Sequence, residues 1–357
     1  MKKIGREVNF LATSVQNPRN GEGSFIRLND GTIMFAFTEF IGGSWDDDES
    51  ARISCIISSD EGETWSEKKI LFSKPTEAKN IMSFSFLRMN NGDIGAFYIV
   101  KNADMTDDIM FTRSADEGET WSEPKSTFES LIIKDYYVIN NDRVVRLSDG
   151  RIIFAVARHT VLTEHKGFMP GVICFFISDD DGETWYKTET ELECPFPNNF
   201  DGYEEPGIYE LSDGRLWCYI RTSMGFQFET FSSDRGISWS VPEPNLFFSS
   251  PCSPMLIKDF GNKTLAVFNP VPEHVFIPDD NNLWGRTPYV IAVSDDKGKT
   301  FSKDKMFYIE DDLTNGYCYP ALLDYGEYFL LAYYHSNNTG LCLNSTKIIK
   351  VMREEIE

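Results

Sequence analysis

The chain has 357 residues, and its 56 Asp and Glu outnumber 34 Lys and Arg to give a formal net charge of −22. That balance argues against a nucleic-acid surface and against docking on anionic membranes, since both need clustered positive charge. An anionic small-molecule partner would need a locally basic pocket on an otherwise acidic surface.

Taken in chain order, two turn signals alternate. The first is a short hairpin, seen as Arg27-Leu-Asn-Asp-Gly-Thr-Ile-Met-Phe35. The second is a box of eight residues, Ser58-Ser-Asp-Glu-Gly-Glu-Thr-Trp65, reached through the strand-like run Arg52 to Ile57. The hairpin returns at Arg88-Met-Asn-Asn-Gly-Asp-Ile-Gly-Ala96, Arg146-Leu-Ser-Asp-Gly-Arg-Ile-Ile-Phe154 and Glu210-Leu-Ser-Asp-Gly-Arg-Leu-Trp-Cys218. Degenerate copies follow at Leu256 to Leu265 and Leu322 to Leu330. The box returns at Ser114 to Trp121, Ser178 to Trp185, Ser232 to Trp239 and Ser294 to Phe301. Its central Asp60, Asp116, Asp180, Asp234 and Asp296 are spaced by 56, 64, 54 and 62 residues.

A motif repeated at a near-constant period marks a repeat architecture. Asp-x-Gly between two strands is a turn: the carboxylate accepts bonds from the turn's own N–H groups and Gly supplies positive φ. The Trp or Phe is an apolar plug for the space between repeats. Binding of calcium by these carboxylates is the competing reading, but each box brings too few oxygens for that ion. Two hairpins make one four-stranded antiparallel sheet of about 60 residues, which fits a propeller blade. Six inner hairpins therefore predict an all-β, six-bladed β-propeller over residues 1–357. Ser345 to Met352 is expected as the third strand of the last blade, and Arg6 to Ala12 as its fourth, closing the ring.

The N-terminus lacks the apolar stretch of about 7–15 residues of a signal peptide, and no apolar run reaches the roughly 18 residues of a membrane span. The seven cysteines (55, 174, 194, 218, 252, 318 and 342) are scattered and mostly within strand-like runs. They read as buried free thiols in a reducing, cytoplasmic setting. No C-x-x-C, H-E-x-x-H or phosphate-binding Gly loop occurs, so neither a metal nor a cofactor is expected.

The five S-x-D-x-G-x-[ST]-[WF] boxes resemble the Asp-boxes of the sialidase (neuraminidase) superfamily, and the likeness spans nearly the whole chain. It points to a divergent, bacterial-type branch. The resemblance implies a six-bladed propeller with three arginines that hold a sialic-acid carboxylate, a tyrosine nucleophile activated by a glutamate, and an aspartate acid/base. Glu205-Pro-Gly-Ile-Tyr-Glu210 looks like the segment carrying the activating Glu, which makes Glu205 that residue, with Glu204 as the near alternative. Arg221, at the end of the strand leaving that hairpin, resembles the second clamp arginine. Arg286, before the strand into the fifth box, resembles the third. Gly316-Tyr-Cys-Tyr319-Pro resembles the nucleophile strand and assigns Tyr319, with Tyr317, two residues away and so on the same side of a strand, as a substitute. Arg19 is the candidate first clamp arginine, although the Ile-Pro that follows it in the family is absent here. Asp48-Glu-Ser-Ala51 resembles the acid/base segment, with Asp46 and Asp47 as alternatives. Asn140, Asn141, Asp142, Arg143 and His159 are expected at the same central mouth without an implied role.

These residue types suit the chemistry. Several Arg can hold one carboxylate through bidentate, charge-assisted bonds. A neutral Tyr hydroxyl avoids the repulsion that a carboxylate nucleophile would meet beside the substrate's own carboxylate. A Glu can take the phenolic proton, and an Asp can protonate the leaving oxygen, with net retention. The expectation is an exo-sialidase-like glycoside hydrolase acting on a sialylated oligosaccharide or glycoconjugate. A non-catalytic glycan-binding propeller is the alternative.

Overall fold

The computed structural model describes all residues except 130–134, 163–166, 198, 200, 272–285 and 338–342. Each of the first five inner hairpins joins the box hairpin after it in one antiparallel sheet, the sixth is completed from the two chain ends, and the six sheets surround a common axis. Blade I is built from Arg19–Arg27, Ile33–Phe40, Ala51–Ser58 and Lys69–Ser73. Blade II runs Asn80–Arg88, Ile94–Lys101, Asp107–Ser114 and Lys125–Ser126. Blade III has Ile152–His159, Val172–Ser178 and Tyr186–Leu192. Its inner strand is broken into Tyr136–Val138 and Val145–Arg146, both paired with Ile152–His159. Blade IV comprises Glu204–Glu210, Leu216–Arg221, Gly225–Ser232 and Glu243–Ser250. Blade V comprises Leu256–Phe260, Lys263–Phe268, Tyr289–Ser294 and Met306–Glu310.

Blade VI shows how the ring shuts. Tyr317–Asp324, Tyr328–His335 and Ser345–Met352 come from the C-terminal end, and Arg6–Leu11 adds the outermost strand by pairing Arg6 with Lys350 and Leu11 with Thr346. The expected closure by the N-terminal segment is therefore what the fold uses. Residues before it also bond to blade V, where the Ile4 N–H donates to the Tyr308 carbonyl at 2.9 Å.

The boxes act as predicted turns. In the first, the Ser58 hydroxyl donates to Asp60 Oδ1 at 2.8 Å, and the Thr64 N–H and hydroxyl donate to Asp60 at 2.9 and 2.6 Å. The same bonds recur around Asp116, Asp180, Asp234 and Asp296. Both oxygens of each carboxylate thus serve the turn. The aromatic residue that ends each box packs between blades: Trp185 lies 5.3 Å from Phe154 of its own blade and 5.8 Å from Phe97 of blade II, centroid to centroid. Among the described residues the core forms six main clusters that lie between neighbouring blades rather than one at the centre; the cluster between blades II and III also takes in Phe40 and Ala51 of blade I.

The axis itself is crossed by residues 139–144, between the two halves of the blade III inner strand. Asn141 Nδ2 donates to the Gly23 and Pro320 carbonyls of blades I and VI at 2.7 and 3.3 Å. The Asp142 carboxylate accepts bonds from Ser24 Oγ, Leu322 N and Lys258 Nζ at 2.9, 3.1 and 2.6 Å. This plug divides the axial channel into two cavities. One is lined by Val138, Ile139 and the starts of the inner strands, the other by Asp142 to Arg146 and the ends of those strands.

Candidate functional site

The inner strands carry a repeated irregularity. Register slips by one residue between Gly21 and Ser24, Met82 and Ser85, Glu204 and Gly207, and Cys318 and Ala321. At each slip a non-glycine residue is left-handed: Glu22 (φ 53), Ser83 (φ 56), Glu205 (φ 38) and Tyr319 (φ 55). Such bulges swing a side chain out of the ladder and re-aim it. Pro206 and Pro320, which follow Glu205 and Tyr319, sit where the ladder is interrupted and no N–H is needed. All four left-handed residues line the cavity of about 640 Å³ at the starts of the inner strands.

There the Tyr319 hydroxyl donates to Glu205 Oε1 at 2.6 Å, and Glu205 Oε2 accepts from Arg221 Nη1 at 2.5 Å. Arg221 Nη2 reaches Cys252 Sγ at 3.1 Å. Arg286 Nη2 donates to the Cys252 carbonyl at 3.2 Å, and its guanidinium carbon lies 5.6 Å from the centre of the Tyr319 ring. Burial first, and then the Glu205 carboxylate, push the Tyr319 phenol well above its ordinary pKa, against the opposing pull of Arg221 and Arg286. Tyr319 is therefore a neutral phenol whose proton already faces an acceptor.

Arg19 is 1% exposed and does not line the cavity. Three of its partners do: it donates to Glu22 and to Asp47, and to the Trp45 carbonyl at 3.1 Å. Its Nε donates to the hydroxyl of the buried Tyr334 at 2.7 Å. Gly21 makes the last contact possible, since a Cβ there would lie 2.1 Å from the Tyr334 ring. Of the three aspartates, Asp46 and Asp47 line the cavity. Asp48 does not, and its carboxylate pairs with Lys101 at 2.9 Å and Lys79 at 3.3 Å. Burial alone would raise the Asp47 pKa, but Arg19 and then Lys101 hold it below the usual carboxylate range.

Two sequence expectations are corrected. Tyr317 does not share a face with Tyr319, because the bulge between them breaks the two-residue alternation. Its ring packs with Tyr289 and Tyr333 between blades V and VI, and its hydroxyl donates to the Asp312 carbonyl at 3.1 Å. The residues expected together at the mouth are also divided. His159 lines this cavity, with Nε2 3.3 Å from Glu204, whereas Asp142 and Arg143 line the opposite one. Glu22 and Tyr334 were not singled out from the sequence. A charged residue between two glycines inside an inner strand, Gly21-Glu22-Gly23, is the signal that marks the first.

The lining holds six carboxylates (Glu22, Asp46, Asp47, Asp201, Glu204 and Glu205) against Arg221, Arg286 and His159. Positive charge is thus confined to the wall around Tyr319 instead of filling the pocket. Among the described residues, no group of three or more His, Cys, Asp or Glu side chains could hold a metal ion. Cys55, Cys174, Cys194, Cys218, Cys252 and Cys318 are free thiols, and Cys342 lies outside the described residues.

Fold and site define an Asp-box propeller with one polar cavity at the strand-start end of its axis. The chain matches the BNR repeat-like domain over residues 31–331 and belongs to that family. It is 30% identical over 119 residues to Sialidase B of Streptococcus pneumoniae, a stretch that covers 33% of this chain and 15% of that protein. The chain thus spans only a small part of that relative's length. Its fold is similar to that of the intramolecular trans-sialidase from Ruminococcus gnavus (TM-score 0.74, 13% identity, 98% of this chain and 97% of that one). It is equally similar to a protein of unknown function from Dyadobacter fermentans (TM-score 0.74, 17% identity, 98% and 99%).

Proposed function

We propose that the protein is an exo-sialidase-like glycoside hydrolase that releases a terminal sialic acid, or a related nonulosonic acid, from a glycan with retention. The observation that carries this reading is the 2.6 Å bond from the Tyr319 hydroxyl to Glu205, inside a cavity walled by Arg221 and Arg286. In the first step Tyr319 Oη bonds to the anomeric carbon as the glycosidic C–O bond breaks, and the phenolic proton passes to Glu205. The leaving oxygen takes a proton from an aspartate of the 46–48 loop. Water then attacks the anomeric carbon and gives its proton to that aspartate, while the phenol leaves and recovers its own from Glu205.

Arg221 and Arg286 are suited to the substrate carboxylate, and Arg19 would join them by exchanging Asp47 for it. That exchange would also free Asp47 to take up the proton an acid needs, which favours Asp47 and Asp46 over the lysine-paired Asp48. The test is release of the aryl group from an aryl α-sialoside. Tyr319→Phe and Glu205→Gln should each lower kcat by about 10²–10⁴-fold. Arg286→Ala should chiefly raise KM, by roughly 10–100-fold for a lost charge-assisted pair. Sialic acid binding without turnover at any pH would replace this reading with the glycan-binding propeller. Comparing Asp46→Asn, Asp47→Asn and Asp48→Asn on a natural sialyloligosaccharide, whose poor leaving group depends on the acid, identifies that residue.

A further inference from the structure

The second cavity, about 620 Å³ at the inner-hairpin end of the channel, differs in charge from the first. Its lining carries Arg27, Arg88, Arg143, Arg146 and Lys258 against Asp142, Glu210 and Asp259. Of these, Arg88 pairs with Glu117, and Lys258 with Asp142. Asp259 accepts from Tyr209 and Thr264, and Glu210 pairs with Arg235. Among the described residues no carboxylate lies within ion-pair distance of Arg27, Arg143 or Arg146. Arg143 is 2% exposed; its Nη2 donates to the Met255 carbonyl at 2.5 Å, while Nε and Nη1 have no hydrogen-bond partner. Its guanidinium lies 5.5 Å from the centre of the Tyr219 ring. A buried guanidinium with two unused donors is costly unless something anionic or polar completes it. Arg27 and Arg146 are exposed and stand at the rim. The walls between rim and floor are apolar and include Phe25, Phe86, Val144, Ile208, Leu256 and Leu323. The volume falls within the usual range of small-molecule sites.

We propose that this cavity binds an organic oxyanion with an apolar body, a carboxylate, phosphate or sulfonate, held by Arg143, Arg27 and Arg146. The site is separate from the Tyr319 cavity and independent of the glycosidase reading, because the 139–144 plug stands between the two. A protein of net charge −22 repels anions at long range, so the selectivity lies in these three guanidiniums, which have no carboxylate partner: Arg146 donates to Asn90 Oδ1 at 3.2 Å and Arg27 lies over the Tyr325 ring. The apolar walls exclude fully hydrated ions, which lose more solvation than they regain there.

The probe is 8-anilinonaphthalene-1-sulfonate, followed by fluorescence on the full chain, with uncharged N-phenyl-1-naphthylamine as control. The sulfonate should bind one per chain and at least about tenfold tighter than the neutral dye, by the worth of a charge-assisted bond. The surface double variant Arg27→Gln/Arg146→Gln should weaken the sulfonate about tenfold and leave the neutral dye unchanged, and Arg143→Met should do the same if it folds. Octanoate should displace the dye at lower concentration than inorganic phosphate. Equal affinity for the two dyes, no binding of the sulfonate, insensitivity to the double variant, or stronger displacement by phosphate would each overturn the proposal. Loss of dye on Arg286→Ala would assign it to the other cavity and equally overturn it.

Discussion

Tyr319 and Glu205 are held in a backbone conformation that neither favours. Left-handed φ costs a non-glycine residue on the order of 1 kcal/mol or more, and each of the two is followed by proline, which leaves the bulge few alternatives. The same left-handed residue in other inner strands shows that the bulge belongs to the architecture; what differs between blades is the side chain it presents. The His159–Glu204 pair gives a further prediction at this scale. Burial alone would lower the imidazole pKa, but the Glu204 carboxylate outweighs it and raises the value above the usual 6.5. The pair's contribution to stability is therefore present in full below that ordinary value and is lost as pH rises through the higher folded-state value. In an NMR titration, His159 should titrate above its ordinary range, and Glu204→Gln should bring it down. A wild-type value at or below the ordinary one would refute the pair.

At the level of elements, the box hairpins and the plug carry separate parts of the stability. Gly182, at φ +92, leaves no room for a Cβ, which would lie 2.9 Å from the Phe111 ring of blade II. Gly182→Ala should destabilise by about 1–2 kcal/mol through strain and that clash. Trp185→Ala, which empties part of the blade II–III interface, should destabilise by about 2–3 kcal/mol. Chemical denaturation measures both. Asp142 is the more exacting case: Asp142→Ala takes the carboxylate partner from the Lys258 ammonium, the Ser24 hydroxyl and the Leu322 N–H near the axis, and should destabilise by about 3 kcal/mol. If that variant proves as stable as wild type, the plug does not tie the blades together.

For the whole molecule, the acid-rich composition makes stability depend on which carboxylates are engaged. Burial would raise the Glu39 pKa, but Arg52, Lys68 and Ser54 bring it down to about 2. The hydrogen bonds from Thr64 and Thr120 likewise lower Asp60 and Asp116 to about 2. Each of these is depressed in the folded state, so its contribution holds above the ordinary carboxylate values and disappears as pH falls from about 4.5 toward 2. Urea midpoints measured across that window should fall steeply, and Glu39→Gln should flatten the slope while lowering stability at neutral pH. A slope unchanged by Glu39→Gln would show that the pair is not maintained in solution.

Much of this organisation is legible in the chain because it is local. The box and hairpin turns announce themselves by Asp, Gly and Trp at fixed offsets, since a turn is made by neighbours in sequence. Their count is also the blade count. Arg221, Arg286, Glu205 and Tyr319 were picked out differently, by the resemblance of their segments to those of the sialidase superfamily, with the boxes serving only to place them on inner strands. What the sequence could not decide concerns direction across the ring. Strand alternation placed Tyr317 beside Tyr319, but a bulge sends one ring into the blade V–VI core and the other into the cavity. The run Asp46 to Asp48 offered three equal carboxylates, and only contacts with Arg19 from the same blade and with Lys79 and Lys101 from blade II separate them. Residues 140–143 looked like part of one mouth, but their bonds to blades I, II, V and VI make them a wall between two. A turn needs only its own residues; a cavity is made by residues hundreds of positions apart, and the closed ring alone brings them together.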